Sequence, residues 1–393
     1  MNKVIIIGGA IYHNSLGLAR SFGVNGIAPY GILVGDKGCK WKNISALSKY
    51  WAKVWIVKDE EEAISLLLDK FANENDKPVL VPSSDGAALA IDRNYCLLAK
   101  YFLVPGIKGK QGVIANLMDK FEQIKWARSL GLDIANAEII TIDEPSKCVT
   151  SLRMPVILKP VVSAEGQKHD IRKCHDVPSL RHELEILKNK GYRRILAQEY
   201  VEKDYEIELW GSILENSHLQ PYLLSKHYRE WPNTGGTVCY HEFITDPVIK
   251  KQAEEILSKI KACGYIGNID VELFSVNGAL MLNEVNFRNS GDIYACFTNK
   301  VFYSYYSYLD MIGEDVSKCN LLYGDRTTAM DENLDLRHLI FGHISIKEWF
   351  KDWKRCSDFA LFYKGDLKPA FAKYMNAFLL LFSWYRSEKD NIK

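Results

Sequence analysis

The stretch that decides the fold reads Gly267-Asn-Ile-Asp-Val-Glu-Leu-Phe274 and returns, after Asn277-Gly278, as Leu280-Met-Leu-Asn-Glu-Val-Asn-Phe-Arg288. Polar and apolar residues alternate in both halves, which predicts two β-strands with one face in a core. Residues two apart on a strand share a face. Each strand therefore carries two oxygen-bearing side chains on one side: Asp270 and Glu272 on the first, Glu284 and Asn286 on the second.

The connection between the two strands decides whether these side chains meet. A two-residue Asn-Gly turn that pairs Val276 with Ala279 would put Glu272 and Glu284 on opposite faces. A three-residue loop with Gly278 in the left-handed conformation would bring all four polar groups together. We predict the three-residue loop, because the clustered oxygens would then suit Mg²⁺ held beside phosphate oxygens. The alternative is an ordinary hairpin whose acidic side faces solvent.

Other segments place polar residues at the ends of predicted elements. Lys120 begins a predicted helix, and Lys159 ends an apolar strand that is followed by a short loop, residues 161–168. Backbone N–H groups of such a loop can cover phosphates. A second apolar strand, residues 195–201, leads into an acidic segment that contains Glu206. Each segment is weak alone, but the order of two lysines, an acidic strand and a Glu-x-Asn-x-Arg hairpin is more specific.

With these residues in this order, the chain resembles the ATP-grasp superfamily of carboxylate–amine ligases over roughly residues 1–310. The most specific part is Glu284-Val-Asn-Phe-Arg-Asn-Ser-Gly291, which is similar to the family's Glu-Ile-Asn-Pro-Arg-x-Ser-Gly. Phe287 replaces the usual proline. The loop after Lys159 also departs from the family, since Gly166 is the only glycine before Ile171.

The resemblance implies a mixed α/β and α+β chain with the ATP-grasp fold. We expect an N-terminal parallel α/β domain (residues 1–109), a small lobe (110–195), a large lobe with the metal site (196–310) and a C-terminal extension (311–393). Alternating strands and helices in the first domain favour its parallel sheet. A Rossmann enzyme linked to NAD or to a sugar nucleotide is an alternative, although Gly8-Gly9 and Gly17 do not form a GxGxxG fingerprint.

The resemblance also implies roles for individual residues. ATP would be bound by Lys120, Lys159, Gln198, Glu199, Val201 and Glu206. The two lysines would contact phosphates, with Lys159 also near the adenine; Glu199 and the Val201 backbone would read the adenine edge. Glu206 would bind the ribose. Mg²⁺, or Mn²⁺ in its place, would be held by Glu272, Glu284 and Asn286, with Asp270 competing with Glu272. Arg288 would neutralise charge on an acyl phosphate.

Residues 226–237 are polar, aromatic and rich in glycine, which suits a loop that closes over substrate. In that loop, Lys226 and Arg229 would bind the substrate carboxylate; a simple surface loop is the alternative. His227 and His241 are interpreted as hydrogen-bonded scaffold.

Ser83, Ser84 and Asp85 follow a predicted strand, where open α/β sheets bind ligands, but they would equally cap a helix.

Charge and cysteine content narrow the class of protein. The chain has 50 basic and 49 acidic residues, so we expect no nucleic-acid partner. Nine cysteines without metal-ligand spacing predict reduced thiols and a cytoplasmic location. We expect no signal peptide and no transmembrane segment, because the apolar run at residues 377–385 is too short to cross a bilayer. A homodimer is compatible with the family resemblance.

We therefore expect an enzyme that phosphorylates a small-molecule carboxylate from ATP and joins it to an amine. Residues 335–339 and 362–369 are similar to tails of bacterial D-aspartate-ligase-like and polysaccharide-associated members, which favours a cell-surface precursor as substrate. Basic residues near aromatic ones in this tail also suit loose association with a membrane or a polyanion. The alternative is a non-catalytic, nucleotide-binding regulatory or scaffold protein of the same fold.

Overall fold

The computed structural model describes residues 2–148, 150–161, 170–218, 220–233, 236–317, 319 and 327–376. Three β-sheets organise these residues. The predicted phosphate loop at residues 161–168, apart from Val161, and the apolar run at residues 377–385 lie outside the described residues.

The N-terminal part alternates strands with helices. Its strands are β1 (Val4–Gly9), β2 (Tyr30–Val34), β3 (Lys53–Val57) and β4 (Val79–Pro82). Its helices are α1 (Asn14–Val24), α2 (Glu60–Phe71), α3 (Asp85–Arg93) and α4 (Tyr95–Leu98). The strands form a parallel sheet in the order β3-β2-β1-β4, which confirms the predicted α/β unit.

Strand β1 is apolar on both faces because core lies on both sides of the sheet. Ile5 and Ile7 pack in one cluster with apolar residues of α2, whereas Val4 and Ile6 pack in another with α1. At the end of β4, Ser84 caps α3 by accepting a hydrogen bond from the Ala87 backbone N–H at 3.2 Å, as the capping alternative predicted.

The middle of the chain forms a small antiparallel sheet in the order β6-β9-β7-β8. The elements from residue 106 onward are β5 (Gly106–Ile107), α5 (Val113–Leu117), α6 (Lys120–Ser129), β6 (Ala137–Thr141), β7 (Val156–Pro160), β8 (Arg172–Cys174), α7 (Val177–Asn189) and β9 (Arg194–Glu199). Leucines of α7 cover this sheet. Because β9 pairs with both β6 and β7, we propose that the small lobe runs to residue 199 rather than 195.

The largest sheet has eight strands and includes the hairpin. Its elements are β10 (Tyr205–Ile213), β11 (Tyr222–Trp231), β12 (Thr237–Phe243), α8 (Pro247–Ala262), β13 (Tyr265–Val276), β14 (Ala279–Asn286), α9 (Cys296–Asn299), α10 (Tyr303–Met311), β15 (Thr328–Met330), α11 (Glu332–Ile340), α12 (Ile346–Arg355) and β16 (Cys356–Phe359). The strand order is β14-β13-β10-β11-β12-β15-β16, and β5 also pairs with β13. The expected C-terminal extension thus adds two strands to this sheet.

One face of the large sheet is apolar and packs in the main core with α8. Leu209, Val271 and Leu273 lie in the same buried cluster as Ile256 and Ile260 of α8. The other face carries the polar side chains. Among the residues that the structure describes, no helix has the length and apolar character needed to span a membrane.

The predicted loop at residues 226–237 is wrong for its first half. Residues 226–231 continue β11, which pairs with β12 as far as Trp231 and Thr237. Register shifts on both sides of Arg229 interrupt the alternation of polar and apolar residues, which is why the sequence resembled a loop. Of the two glycines, Gly235 lies outside the described part, and a Cβ on Gly236 would lie 2.0 Å from the Trp231 carbonyl.

Candidate active site

The turn between β13 and β14 contains two residues, so the predicted three-residue loop is wrong. Val276 pairs with Ala279, and both intervening residues have positive φ, 52° at Asn277 and 79° at Gly278. Positive φ at both central positions is favoured in Asn-Gly hairpins, since its twist matches that of the strands. The preference of Asn-Gly for a two-residue turn therefore decides the length of this connection, and the expected clustering of metal ligands does not.

The acidic side chains nevertheless share a face, because a β-bulge shifts the register of β14. Leu273 pairs with Leu282, but the next residue of β13, Glu272, pairs with Glu284, which leaves Asn283 as the extra residue. A one-residue shift moves all following side chains to the other face of a strand. The acidic side chains thus share one face, as predicted, but because of the bulge and not because of a three-residue loop. Two adjacent polar residues, Asn283 and Glu284, are the sequence signal that could have indicated it.

The polar row continues onto the neighbouring strands. Asp270 pairs with Asn286, and Glu272 pairs on its other side with Glu208 of β10. Farther along the sheet, His227 of β11 pairs with His241 of β12. Five neighbouring strands of the sheet, including the two of the hairpin, therefore carry ionisable side chains in this row.

Both predicted phosphate-binding lysines reach this surface. The Lys120 Nζ lies 2.5 Å from the Glu284 Oε2, and Asp119 caps the helix that begins at Lys120. The Lys159 Nζ donates to the Gln198 Oε1 at 3.1 Å and to the Asn283 Oδ1 at 3.2 Å. The Asn283 Nδ2 in turn donates to the Glu272 Oε2 at 3.0 Å. Asn283 is a site residue that the sequence interpretation missed, and it links the small lobe to the hairpin.

The two lysines differ in their electrostatic surroundings. Burial, reinforced by the nearby Lys120 cation, lowers the pKa of Lys159 to about 8. Burial also acts to lower the pKa of Lys120, but the charge and hydrogen bond of Glu284 outweigh it and raise that pKa above its usual value. For Glu284 the balance is reversed: burial opposes ionisation, yet Lys120 holds its pKa below the usual value. Two lysine side chains thus lie among carboxylates at this surface.

Arg288 connects the hairpin to helix α3 of the N-terminal part. Its guanidinium donates to Asp270, and its Nε donates to the Asp85 Oδ1 at 3.1 Å. Burial, together with the neighbouring Glu208 carboxylate, raises the pKa of Asp270 well above its usual value although Arg288 opposes this shift. Asp270 is thus already engaged by Arg288.

The expected adenine-binding residues lie at the end of β9. Gln198 contacts Lys159, and the Glu199 carboxylate accepts hydrogen bonds from the Asn136 side chain at 3.1 Å and the Arg153 backbone N–H at 3.0 Å. Val201 follows the strand and is half-buried. The Glu199 side chain therefore connects the end of β9 to the chain just before β6 and just before β7.

Glu206, expected at the ribose, belongs to a group of carboxylates around His227. The His227 Nδ1 lies 3.0 Å from Glu230 and 3.7 Å from Glu206, and its Nε2 lies 3.5 Å from Glu208. Burial acts to raise the pKa of Glu206, but His227 and Lys203 lower it to about 2. For His227, burial is outweighed by the carboxylates, which raise its pKa well above 6.5. His227 therefore compensates carboxylate charge, in agreement with a scaffold role.

Lys226 and Arg229 were both expected to bind a substrate carboxylate, but the two side chains contact different residues. The Lys226 Nζ lies 4.2 Å from the centroid of the Tyr205 ring. Arg229 makes a bidentate ion pair with Asp335, at 2.8 Å and 2.9 Å, and a third contact of 2.6 Å with Asp352. The Arg229 guanidinium is held by two carboxylates, one on α11 and one on α12, so we propose a structural role for it in place of the predicted contact with substrate.

Comparison with known proteins agrees with this architecture. Residues 125–296 match the ATP-grasp domain family. The N5-carboxyaminoimidazole ribonucleotide synthase of Vibrio cholerae is 25% identical over 167 residues, which are 40% of this chain and 43% of that protein. The chain's match thus spans about two fifths of the length of this curated relative.

Solved structures share the fold over most of the chain. The N5-carboxyaminoimidazole synthetase from Staphylococcus aureus, complexed with ADP, has a TM-score of 0.64 at 17% identity and covers 87% of both chains. The L-amino acid ligase from Bacillus licheniformis has a TM-score of 0.62 at 12% identity, covering 83% of this chain and 79% of that one. Together with the domain match, the shared fold confirms what the Glu284–Gly291 motif predicted: the chain has the ATP-grasp fold, and its residues 125–296 match the ATP-grasp domain family.

Proposed function

We propose that this protein is an ATP-dependent ligase that joins a carboxylate to an amine, with Mg²⁺ as its cofactor. The observation that carries the proposal is the cross-strand pair of Glu272 and Glu284. Lys120 contacts one of these glutamates directly, and Lys159 reaches the other through Asn283. Cations and hard oxygen ligands at one surface match the needs of a phosphoryl transfer from ATP.

The donor set fits Mg²⁺. Carboxylate and amide oxygens are the protein ligands that Mg²⁺ takes together with phosphate oxygens, and Mn²⁺ shares this preference. We propose that Glu272, Glu284 and Asn286 hold the ion, whereas Asp270 stays with Arg288. The buried Asp270 Oδ1 has no hydrogen-bond partner within the described residues, so this polar region still has unused acceptor capacity. When bound, the ion would neutralise charge on the β- and γ-phosphates.

We assign the nucleotide to the cleft between the small and large sheets. Lys120 and Lys159 would contact the phosphates, Gln198, Glu199 and the Val201 backbone the adenine, and Glu206 the ribose. The bond between Lys159 and Gln198 supports this arrangement because it joins the proposed phosphate and adenine ends. The Lys120–Glu284 ion pair would reorganise as phosphate oxygens enter.

The chemistry requires positioning and charge neutralisation more than a protein nucleophile. A carboxylate oxygen of the acid attacks the γ-phosphorus of ATP, and the bond to ADP breaks. Arg288 would offset the negative charge of the resulting acyl phosphate. The amine nitrogen then attacks the carbonyl carbon, phosphate leaves, and the amine loses a proton to give the amide.

Two further features of the proposal concern the cellular setting. We propose that the protein acts in the cytoplasm, where ATP is available; all nine cysteines are free thiols, which supports a reducing compartment. We also propose that one substrate belongs to a cell-surface or polysaccharide precursor, on the basis of the resemblance of residues 335–339 and 362–369 to tails of such ligases.

The test is a screen of amino acids, sugar acids and amines for ADP and phosphate release with ATP and Mg²⁺. We expect one acid–amine pair to stimulate release. Glu284→Gln should reduce it by more than about a hundredfold, since loss of even a residue behind the metal ligands costs ten- to a hundredfold. Glu255→Gln, an exposed change on α8, is the matched control. Full activity in Glu284→Gln would contradict the proposal, and ATP binding without turnover would favour the regulatory or scaffold alternative.

A further inference from the structure

Exposed apolar side chains are concentrated near the C-terminal end of the described chain. Seventeen large hydrophobic residues are exposed in the described part of the chain, and eight of them lie between residues 340 and 376. Single exposed apolar residues are normal, but a concentration in one part of a surface indicates an interaction site. Helix α12 carries two of the eight, and its orientation is fixed by its contacts.

One side of α12 is attached to the protein. Asp352 is bound to Arg229 of β11. At 100° per residue, Ile346 and Phe350 lie about 120° and about 160° around the helix from Asp352, on the side that faces solvent. Their side chains are 62% and 48% exposed. The helix therefore turns an apolar stripe outward although its other side is already packed.

Lysines flank this stripe. Lys347, Lys351 and Lys354 are exposed and lie within 140° of Ile346 around the helix by the same geometry. We call these five residues the α12 outer face. The two acidic residues of the helix are engaged elsewhere, since Glu348 forms the capping box with Ser345 and Asp352 is paired with Arg229. The α12 outer face is thus apolar along one edge and positively charged beside that edge.

The apolar surface continues beyond the helix. Trp353, which lies about 20° from Ile346 around the helix, contacts Phe359 with ring centroids 5.4 Å apart. Phe359 contacts Phe362 with ring centroids 6.3 Å apart, and Phe362 is 48% exposed. Trp353, Phe359 and Phe362 therefore extend the surface of α12 through aromatic rings, which are favoured at membrane–water interfaces.

We propose that the α12 outer face docks this protein on a membrane surface rich in anionic lipid. Lysines attract anionic headgroups, while Ile346 and Phe350 enter the boundary between headgroups and acyl chains. This combination is typical of helices that lie in the plane of a membrane interface. The positive charge selects this partner over an uncharged surface. Docking is independent of the proposed ligase activity.

Flotation of the full-length protein with lipid vesicles tests the proposal. We expect binding to vesicles of phosphatidylcholine mixed with phosphatidylglycerol, weaker binding to phosphatidylcholine alone, and loss of the difference at high salt. Changing Lys347, Lys351 and Lys354 to Gln should weaken binding to the mixed vesicles by about fivefold per lysine. The control with the same change of net charge alters Lys53, Lys58 and Lys70, which are exposed on the N-terminal domain.

A second variant tests the apolar part. Ile346→Gln with Phe350→Gln should reduce flotation, whereas Val248→Gln, at a residue that is 63% exposed on α8, should not. Unchanged thermal unfolding would show that the variants remain folded. Equal flotation with both kinds of vesicle, no flotation, or flotation unaffected by either variant would overturn the proposal. A solution dimer that the Phe350 change dissociates would also overturn it, because the face would then bind a second copy.

Discussion

Strands β11 and β14 each contain an irregularity on the large sheet, and the two irregularities direct charged side chains to different places. In β14 the bulge at Asn283 brings Glu284 opposite Glu272, next to the lysines of the small lobe. In β11 the register shifts around Arg229 send its guanidinium to α11 and α12. A register shift thus positions side chains of the candidate site in β14, whereas in β11 it positions an arginine that binds the C-terminal helices.

The two regions also differ in how their cations are held. Arg229 is held by two carboxylates at once, those of Asp352 and the fully buried Asp335. Lys120 forms an ion pair with Glu284 beside the proposed nucleotide cleft. We expect the first arrangement to contribute to the fold, and the second to exchange its partner for incoming phosphate and metal.

The change Arg229→Gln tests the structural side of this comparison. Removing one partner of a buried ion pair leaves an uncompensated charge, so we expect the free energy of unfolding to fall by about 3–5 kcal/mol. Denaturant unfolding followed by fluorescence measures this loss. Lys226→Gln on the same strand, whose Nζ lies over a tyrosine ring, should cost much less. An Arg229→Gln protein of normal stability with a raised KM for the acid would restore Arg229 as a substrate ligand.

The pH dependence of ATP binding tests the ligand-binding side. With its pKa lowered to about 8, Lys159 is charged below that pH and loses its charge above it. We expect the affinity for ATP to be constant at lower pH and to fall by up to about tenfold per pH unit above 8. Calorimetric titration between pH 7 and pH 9.5 measures the effect. In Lys159→Gln the affinity should be lower and the slope absent; an unchanged slope would assign the titration to another group.

The change Asn283→Ala examines the bulge itself. It removes the hydrogen bonds to Lys159 and Glu272. At about 1 kcal/mol for a typical hydrogen bond, we expect a five- to tenfold weaker affinity for ATP in the presence of Mg²⁺. Asn73→Ala, at an exposed position after α2, is the control. Unaltered affinity in Asn283→Ala would mean that the bulge residue serves only to set the register.

Local sequence patterns were sufficient to predict the helices and strands. They could not predict contacts between residues that are distant in the sequence. The apolar run of β1 and the alternation in β13 and β14 were sufficient to predict a parallel sheet and a hairpin. The preference of Asn277-Gly278 for a two-residue turn was underestimated, and the bulge was missed although two consecutive polar residues marked it. The partner of Arg229 could not be predicted, because Asp335 is 106 residues away in the chain and ordinary helix patterning gives no sign of the pairing.

The most direct test of the central claim is anomalous diffraction from crystals grown with Mn²⁺ and a non-hydrolysable ATP analogue. Mn²⁺ takes oxygen ligands like those of Mg²⁺ and has an anomalous signal that identifies its position. We predict a peak within about 2.3 Å of carboxylate oxygens from both Glu272 and Glu284, beside the analogue's phosphates. A metal held elsewhere, or a nucleotide bound away from these two glutamates, would contradict the account.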